Sequence, residues 1–390
     1  MGANYRRRRT ILAILVLLSA AIVIRIRSTP GRGDGFTVPH PRDLAAYWGS
    51  ATLLLHGQDP YDLQALLDLE RSLGWTGPEP VVAWNPPIAQ VLLLPLGAMS
   101  FQAAAVFWLI VNPVLIALAA ICAWSRLRPA LHRFAIIGAP ILAFSFAPSL
   151  HTVLEGQITT FVLLGLVGYL FFRSRGQESL AGACCVALLV KPQLVYLLVP
   201  LLFVDAARER RWSAMTGFVV TLAAFLGVAT YLYPGWPISY VQLLLSPFSP
   251  SLHPYVTPTV SSLLSVCFNT TIGRYLWVLV LPLAIGVFWR YGRGLDSDTL
   301  LNTALLGSLL TTPFAWASDQ IVLLVPILQV VARATDYTPL RRLWVFTAVG
   351  FIFVYAWWFW VGDYQELPNL AVPLAITVLY GCAFLRQQRR

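Results

Sequence analysis

Apolar runs of roughly the 20 residues that a bilayer core demands recur along this chain, and clusters of arginine separate them. That alternation constrains the fold more than any other feature. Hydrophobic residues make up 58% of the 390 positions and charged residues 11%, against about 25% charged in an ordinary soluble domain. A soluble interior of this size has no room for so much apolar surface. The sequence therefore predicts an all-α polytopic membrane protein, one integral membrane domain over residues 1–390, because helices satisfy their own backbone hydrogen bonds in lipid. The net charge of +10 is no nucleic-acid signature, since short basic clusters between apolar runs are the pattern of cytoplasmic loops. Cys122, Cys184, Cys185, Cys267 and Cys382 lie in or beside apolar runs without metal-ligand spacing and read as small membrane-buried side chains.

Charge asymmetry sets the expected topology. Arg6 to Arg9 precede an apolar run at residues 11–26 that Arg25 and Arg27 close with no small-residue cleavage site, which predicts a retained first span. Residues 28–87 are then an external first loop with two short helices. Residues 88–99 are too short to cross and are expected to insert partly. Spans are predicted near residues 101–124, 134–150, 158–172, 214–233, 275–289, 300–314, 320–332, 343–361 and 368–385. Residues 180–204 are basic at both ends, near Arg175 and Arg208, and Lys191-Pro192 interrupts them midway. This predicts a broken hairpin that enters from the cytoplasm and turns near Lys191. Residues 234–273 hold no Lys or Arg and form a second external loop. The count is about ten spans plus one hairpin, with both termini cytoplasmic.

The first loop is the longest polar interval. In its first helix Leu44, Trp48, Ala51 and Leu55 make one apolar stripe suited to the membrane surface, while Asp43, Tyr47 and Ser50 share a neighbouring face. Asp59-Pro60 turns the chain and Asp62 caps a second helix that runs to Arg71. With this topology Asp34, Arg42, Asp43, His56, Asp59, Asp62, His151, Glu155, Gln157, His253, Arg274, Asp319, Asp363 and Glu366 all face outward. Sugar transfer from a lipid-linked phosphate needs a carboxylate base, a cation for the leaving phosphate and a greasy groove for the lipid. Asp43 is a candidate base, and Arg42, Arg274 and Lys191 are candidate phosphate partners. Plainer roles stand beside these. Asp43 also fits a helix N-cap, His151 an ordinary loop, and Lys191 a pairing with a carboxylate in a span.

Several short motifs carry a resemblance. Asp43-Leu44 with Tyr47, then Gly57-Gln58-Asp59-Pro60-Tyr61, Pro86-Pro87 with Leu94-Pro95-Leu96, Gly156-Gln157, Lys191-Pro192-Gln193 and Thr312-Pro313-Phe314-Ala315-Trp316 with Asp319 follow in order. Together they make the chain resemble the family-87 glycosyltransferases of the GT-C membrane fold, a group that includes polyprenyl-phosphate-mannose-dependent mannosyltransferases. Asn85 replaces the aromatic that many members carry before the Pro-Pro pair, and Ser318 and Asp319 stand where some carry histidines. The resemblance implies an inverting hexosyltransferase with Asp43 as general base. Arg42, Tyr47, Tyr61, His151, Gln157, Lys191, Gln193, Arg274 and Asp319 would bind substrate. The implied donor is a polyprenyl-phosphate sugar, most often mannose, and the acceptor a glycolipid or glycan at the outer face of the plasma membrane. No cofactor or metal is expected, because Asp59 and Asp62 are too far apart for an Asp-x-Asp pair. A transporter of lipid-linked sugars and a non-catalytic assembly subunit are the competing classes.

Overall fold

The structure, a computed structural model, describes residues 41–246, 255–292, 295–362 and 366–385. The first predicted span at residues 11–26, with Asp34, His253 and Asp363, lies outside the described residues. Every described element is helical.

Helix α1 (Arg42–Leu55) begins after the extended Pro41 and stops at His56 and Gly57, whose φ of +70° suits glycine. The sequence expectation for this helix was a surface position. The structure instead buries both its faces, with Leu44, Ala45, Ala51 and Leu54 fully covered. Small side chains explain the difference. Ala45, Ala46, Gly49, Ser50 and Ala51 allow close approach, and a Cβ on Gly97 would lie 2.8 Å from the Ala51 carbonyl carbon. Trp48 Nε1 locks the contact by donating to the Met99 carbonyl at 3.0 Å. Helix α2 (Leu63–Ser72) is capped by Asp62, which accepts from the Gln64 and Ala65 N–H groups at 2.9 and 3.1 Å. Helices α3 (Pro87–Leu92) and α4 (Leu94–Gly97) form a broken pair under α1.

Helix α5 (Phe101–Leu127) is a full-length apolar helix. Helices α6 (His132–Ser145) and α7 (Ala147–Leu154) follow, bent by 78° at Phe146. Pro148 favours the restart, since its missing N–H falls in a first turn. His151 therefore lies on a helix, where the sequence suggested a turn; the turn itself is confined to residues 155–157. Helix α8 (Thr159–Arg173) leads to the interrupted segment. There α9 (Glu178–Cys184) tightens into a 3-10 stretch, Cys185–Val190, and breaks at Lys191. A second 3-10 turn, Pro192–Val195, precedes α10 (Leu198–Arg208). Arg211 pairs with Glu178 at 3.4 Å and also with Asp205, so both arms end at one guanidinium and Lys191 sits at the far tip.

Helix α11 (Trp212–Leu232) crosses α9 at glycine: a Cβ on Gly182 would meet the Ala214 carbonyl oxygen at 1.8 Å, and one on Gly217 that of Ser179 at 2.0 Å. The stretch expected as a second loop carries α12 (Trp236–Leu244) and α13 (Val260–Cys267). Helices α14 (Leu276–Tyr291), α15 (Ser297–Thr311), α16 (Leu324–Ala334), α17 (Pro339–Gly362) and α18 (Ala371–Tyr380) complete the fold. A 3-10 stretch, Ala317–Leu323, leads into α16. Six described helical stretches are long and apolar enough to cross a membrane, and the bent α6–α7 pair makes a possible seventh. Ten spans were expected. Among the predicted ones, α8 and α15 have 15 residues each, about 22 Å of helix against about 30 Å of hydrocarbon.

The arginine ion pairs gather at one end. Arg126 pairs with Asp298, Arg128 with Asp336, Arg173 with Asp205 at 3.3 Å, and Arg208 donates to the Phe288 carbonyl at 3.1 Å. These contacts join the C-terminal ends of α5, α8, α10, α14 and α16 to the start of α15. The other ends of α8 and α15, together with the Lys191 tip, meet at the opposite end of the molecule.

Candidate active site

A cavity of about 710 Å³ opens at that opposite end. Its lining comes from α1 (Arg42, Asp43, Tyr47), the extended stretch Glu79 to Val82, Trp84 and Asn85, the α7–α8 turn (His151, Glu155, Gln157), the hairpin tip (Lys191, Gln193), Tyr255, the segment after α15 (Phe314, Trp316, Ser318) and Glu366.

The polar centre is a hydrogen-bonded chain built from four elements. Gln157 Nε2 donates to the Asp43 carboxylate, and Gln157 Oε1 accepts from Tyr47 Oη at 3.0 Å and Lys191 Nζ at 2.6 Å. Lys191 Nζ also donates to Asp319 Oδ1 at 2.6 Å. Asp319 is held in turn by Thr159 Oγ1 at 2.7 Å and the Trp316 N–H at 3.0 Å. The pattern fixes the Gln157 amide orientation, since its oxygen receives two donors and its nitrogen faces a carboxylate. Asp43 is not the cap of α1. The cap position is Pro41, and the Asp43 carboxylate turns towards Gln157.

Backbone geometry brings these groups together. Gly156 has φ +69°, and a Cβ there would lie 2.6 Å from Leu44 Cβ, so glycine lets the start of α1 close on the turn that presents Gln157. Trp108 Nε1 donates to the Gly156 carbonyl at 3.2 Å, and Asn112 Nδ2 to the Gln157 carbonyl at 3.1 Å. Both reach across from α5. On the other side, Glu70 accepts the Val81 N–H at 2.9 Å and so anchors the stretch that walls the cavity.

Two electrostatic effects compete at Asp43. The start of a helix favours a carboxylate, as do Lys191, Arg42 and the Gln157 hydrogen bond. Burial, reinforced by Glu155, outweighs them and pushes the Asp43 carboxyl up to about 6. Burial likewise pushes Glu70 up to about 7, against the Val81 hydrogen bond and Arg42.

Of the residues singled out from sequence, Arg42, Asp43, Tyr47, His151, Gln157, Lys191 and Gln193 line the cavity. Asp319 stands one layer back, behind Lys191. Tyr61 and Arg274 do not line it. The Tyr61 hydroxyl is taken by the Asn85 carbonyl at 3.1 Å, so it supports the wall from behind. Arg274 is buried in a 3-10 turn at Ile272–Tyr275, packed under α13. Asn85, Trp316 and Glu366 were not among the expected site residues. Asn85 Nδ2 donates to the Val190 carbonyl at 2.8 Å, just before the hairpin tip, and thereby ties the first loop to it. The sequence marks Asn85 only as a replacement for the aromatic before Pro86-Pro87. Among the described residues, no group of three or more His, Cys, Asp or Glu side chains is placed to hold a metal ion.

No curated protein and no solved structure gave a significant match to the chain. The family model of glycosyltransferase family 87 matches residues 84–315, more than half of the chain, including the hairpin tip, the Gly156-Gln157 turn and the segment before Trp316. This apolar, helical membrane chain belongs to glycosyltransferase family 87.

Proposed function

We propose that the protein transfers a hexose, mannose first among candidates, from a polyprenyl-phosphate donor to a glycolipid or glycan acceptor at the outer face of the plasma membrane, with inversion at the anomeric carbon. The observation that carries this reading is the Asp43–Gln157–Lys191–Asp319 chain on one cavity. It joins a carboxylate and an ammonium through one amide on the cavity wall, which supports a base and a phosphate partner acting together. Family membership supports the transferase class.

In a single displacement, Asp43 takes the proton of the acceptor hydroxyl as that oxygen attacks the anomeric carbon. The bond from that carbon to the phosphate oxygen breaks, and the polyprenyl phosphate leaves with the electron pair. Lys191 has three N–H donors, and two are committed to Gln157 and Asp319. The third serves the leaving phosphate, with Arg42 at the cavity rim. A carboxyl held near 6 is a stronger base than a free aspartate and is still mostly ionised at neutral pH, as general-base catalysis favours. The groups present supply a base and cations, so the reading invokes no metal.

The test is sugar transfer by the purified full-length protein from labelled polyprenyl-phosphate sugars to a membrane glycolipid extract. Asp43→Asn keeps the hydrogen bond from Gln157 and removes the base. It is expected to lower transfer by about 100- to 10,000-fold, the usual worth of a general base. Retained transfer in this variant refutes Asp43 as base.

A further inference from the structure

The cavity lining is not uniform in charge. Arg42 and Lys191 belong to the start of α1 and the hairpin tip. A different part of the lining, from the C-terminal end of α7, the segment after α15 and the residue that opens the last 3-10 turn, carries His151, Glu155, Trp316 and Glu366. Asp43 lies within electrostatic reach of both Lys191 and Glu155.

This second stretch is a constructed surface. Glu366 accepts the Ala317 N–H at 2.9 Å through Oε2, which fixes its carboxylate to the backbone of the residue that follows Trp316. Tyr255 packs edge-on to that indole with centroids 5.5 Å apart. His151 Nε2 lies 3.8 Å from Glu155 Oε1, and the His151 ring lies 6.2 Å from that of Trp360. Aromatic surface takes the apolar C–H face of a pyranose, and carboxylates accept strong hydrogen bonds from its hydroxyls. A phosphate or uronate placed there would face two carboxylates in a partly desolvated space, where like charges repel strongly. A metal cation is disfavoured because these groups are not disposed as ligands.

We propose that Trp316, Glu155, Glu366 and His151 form the acceptor-sugar subsite, and that it takes an uncharged pyranose and rejects uronic acids and sugar phosphates. The proposal rests on the transfer reading, with the donor phosphate on the Lys191 side and the acceptor hydroxyl delivered to Asp43 between the two regions.

The test reads acceptor binding without donor. Full-length protein in lipid nanodiscs is probed with methyl mannoside, methyl glucoside and methyl glucuronide by saturation-transfer NMR, and Glu366→Gln and Glu155→Gln are compared. Wild type is expected to bind the neutral glycosides and not the glucuronide. Each substitution is expected to weaken neutral-sugar binding roughly tenfold, about one charge-assisted hydrogen bond, and to raise acceptor KM while donor KM holds. Glucuronide binding equal to that of the neutral glycosides, or substitutions that raise donor KM instead, overturns the subsite. Neutral-sugar binding without any transfer refutes the reaction and leaves the subsite standing. Transfer with unchanged acceptor KM in both variants does the reverse.

Discussion

At the scale of a single residue, Asp43 shows how a site residue departs from what its local sequence favours. Proline before it and a helix after it are the ingredients of an N-cap, yet the carboxylate faces Gln157 and is desolvated. The sequence reading left cap and base both open, because the deciding partner lies on the α7–α8 turn, far along the chain. A raised carboxyl has a definite sign in pH dependence. The folded state holds the proton more tightly than the unfolded chain, so the stability Asp43 contributes is present below about 3.8 and lost as pH rises through about 6. A charged Asp43 therefore costs on the order of 3 kcal/mol at neutral pH. Two outcomes follow. Transfer rate falls as pH drops below about 6, where the base becomes protonated; a pH–rate profile with a single acidic limb near that value is the check. Asp43→Asn also melts higher than wild type at pH 7.5, with the gap closing towards pH 4, as measured by thermal unfolding in detergent.

At the scale of elements, the interrupted segment ties architecture to chemistry. Pro192 removes a backbone donor and the 3-10 turns on either side tighten the chain, so the segment stops at Lys191. Arg211 gathers its two arms at the far end. The basic flanks and the Lys-Pro step were readable because both are local signals. The partners of Lys191 were not, because Gln157 and Asp319 sit on other helices. For the same reason Asn112 and Glu70 gave no local signal and Glu366 was legible only as one of the outward-facing groups, although they brace or line the cavity. The burial of α1 was illegible too, since a stripe of small residues looks alike against lipid and against helices. The Lys191–Asp319 pair is almost fully buried, at 5% and 1% side-chain exposure. Breaking one side strands a charge and costs roughly 3–5 kcal/mol. Lys191→Met is thus expected to lower the melting temperature sharply, and adding Asp319→Asn to recover most of the loss without recovering transfer. Restored transfer in the double variant would make Lys191 purely structural.

At the scale of the whole molecule, two ends of one set of helices carry opposite tasks. One end holds Arg126, Arg128, Arg173, Arg208 and Arg211 in pairs and carbonyl contacts that fasten α5, α8, α10, α14, α15 and α16 together. The other holds the cavity, lined by the start of α1, the rest of the first loop, the α7–α8 turn, the hairpin tip and the segment after α15. Packing at the basic end leaves the loops at the other end to line the cavity, and the proposed orientation puts the arginine-rich end in the cytoplasm by the positive-inside rule. On the proposed orientation, Glu79 at the cavity rim and Thr338 near the basic end, both exposed, lie on opposite sides of the membrane. The measurement is labelling by a membrane-impermeant maleimide in a cysteine-free background. Glu79→Cys is expected to react in intact cells, and Thr338→Cys only after permeabilisation. The reverse pattern would place the cavity on the cytoplasmic face. Because charge pairing at the basic end and chemistry at the cavity end share helices 15 to 27 residues long, an inverted label would move the whole reaction, acceptor subsite included, to the other side of the bilayer.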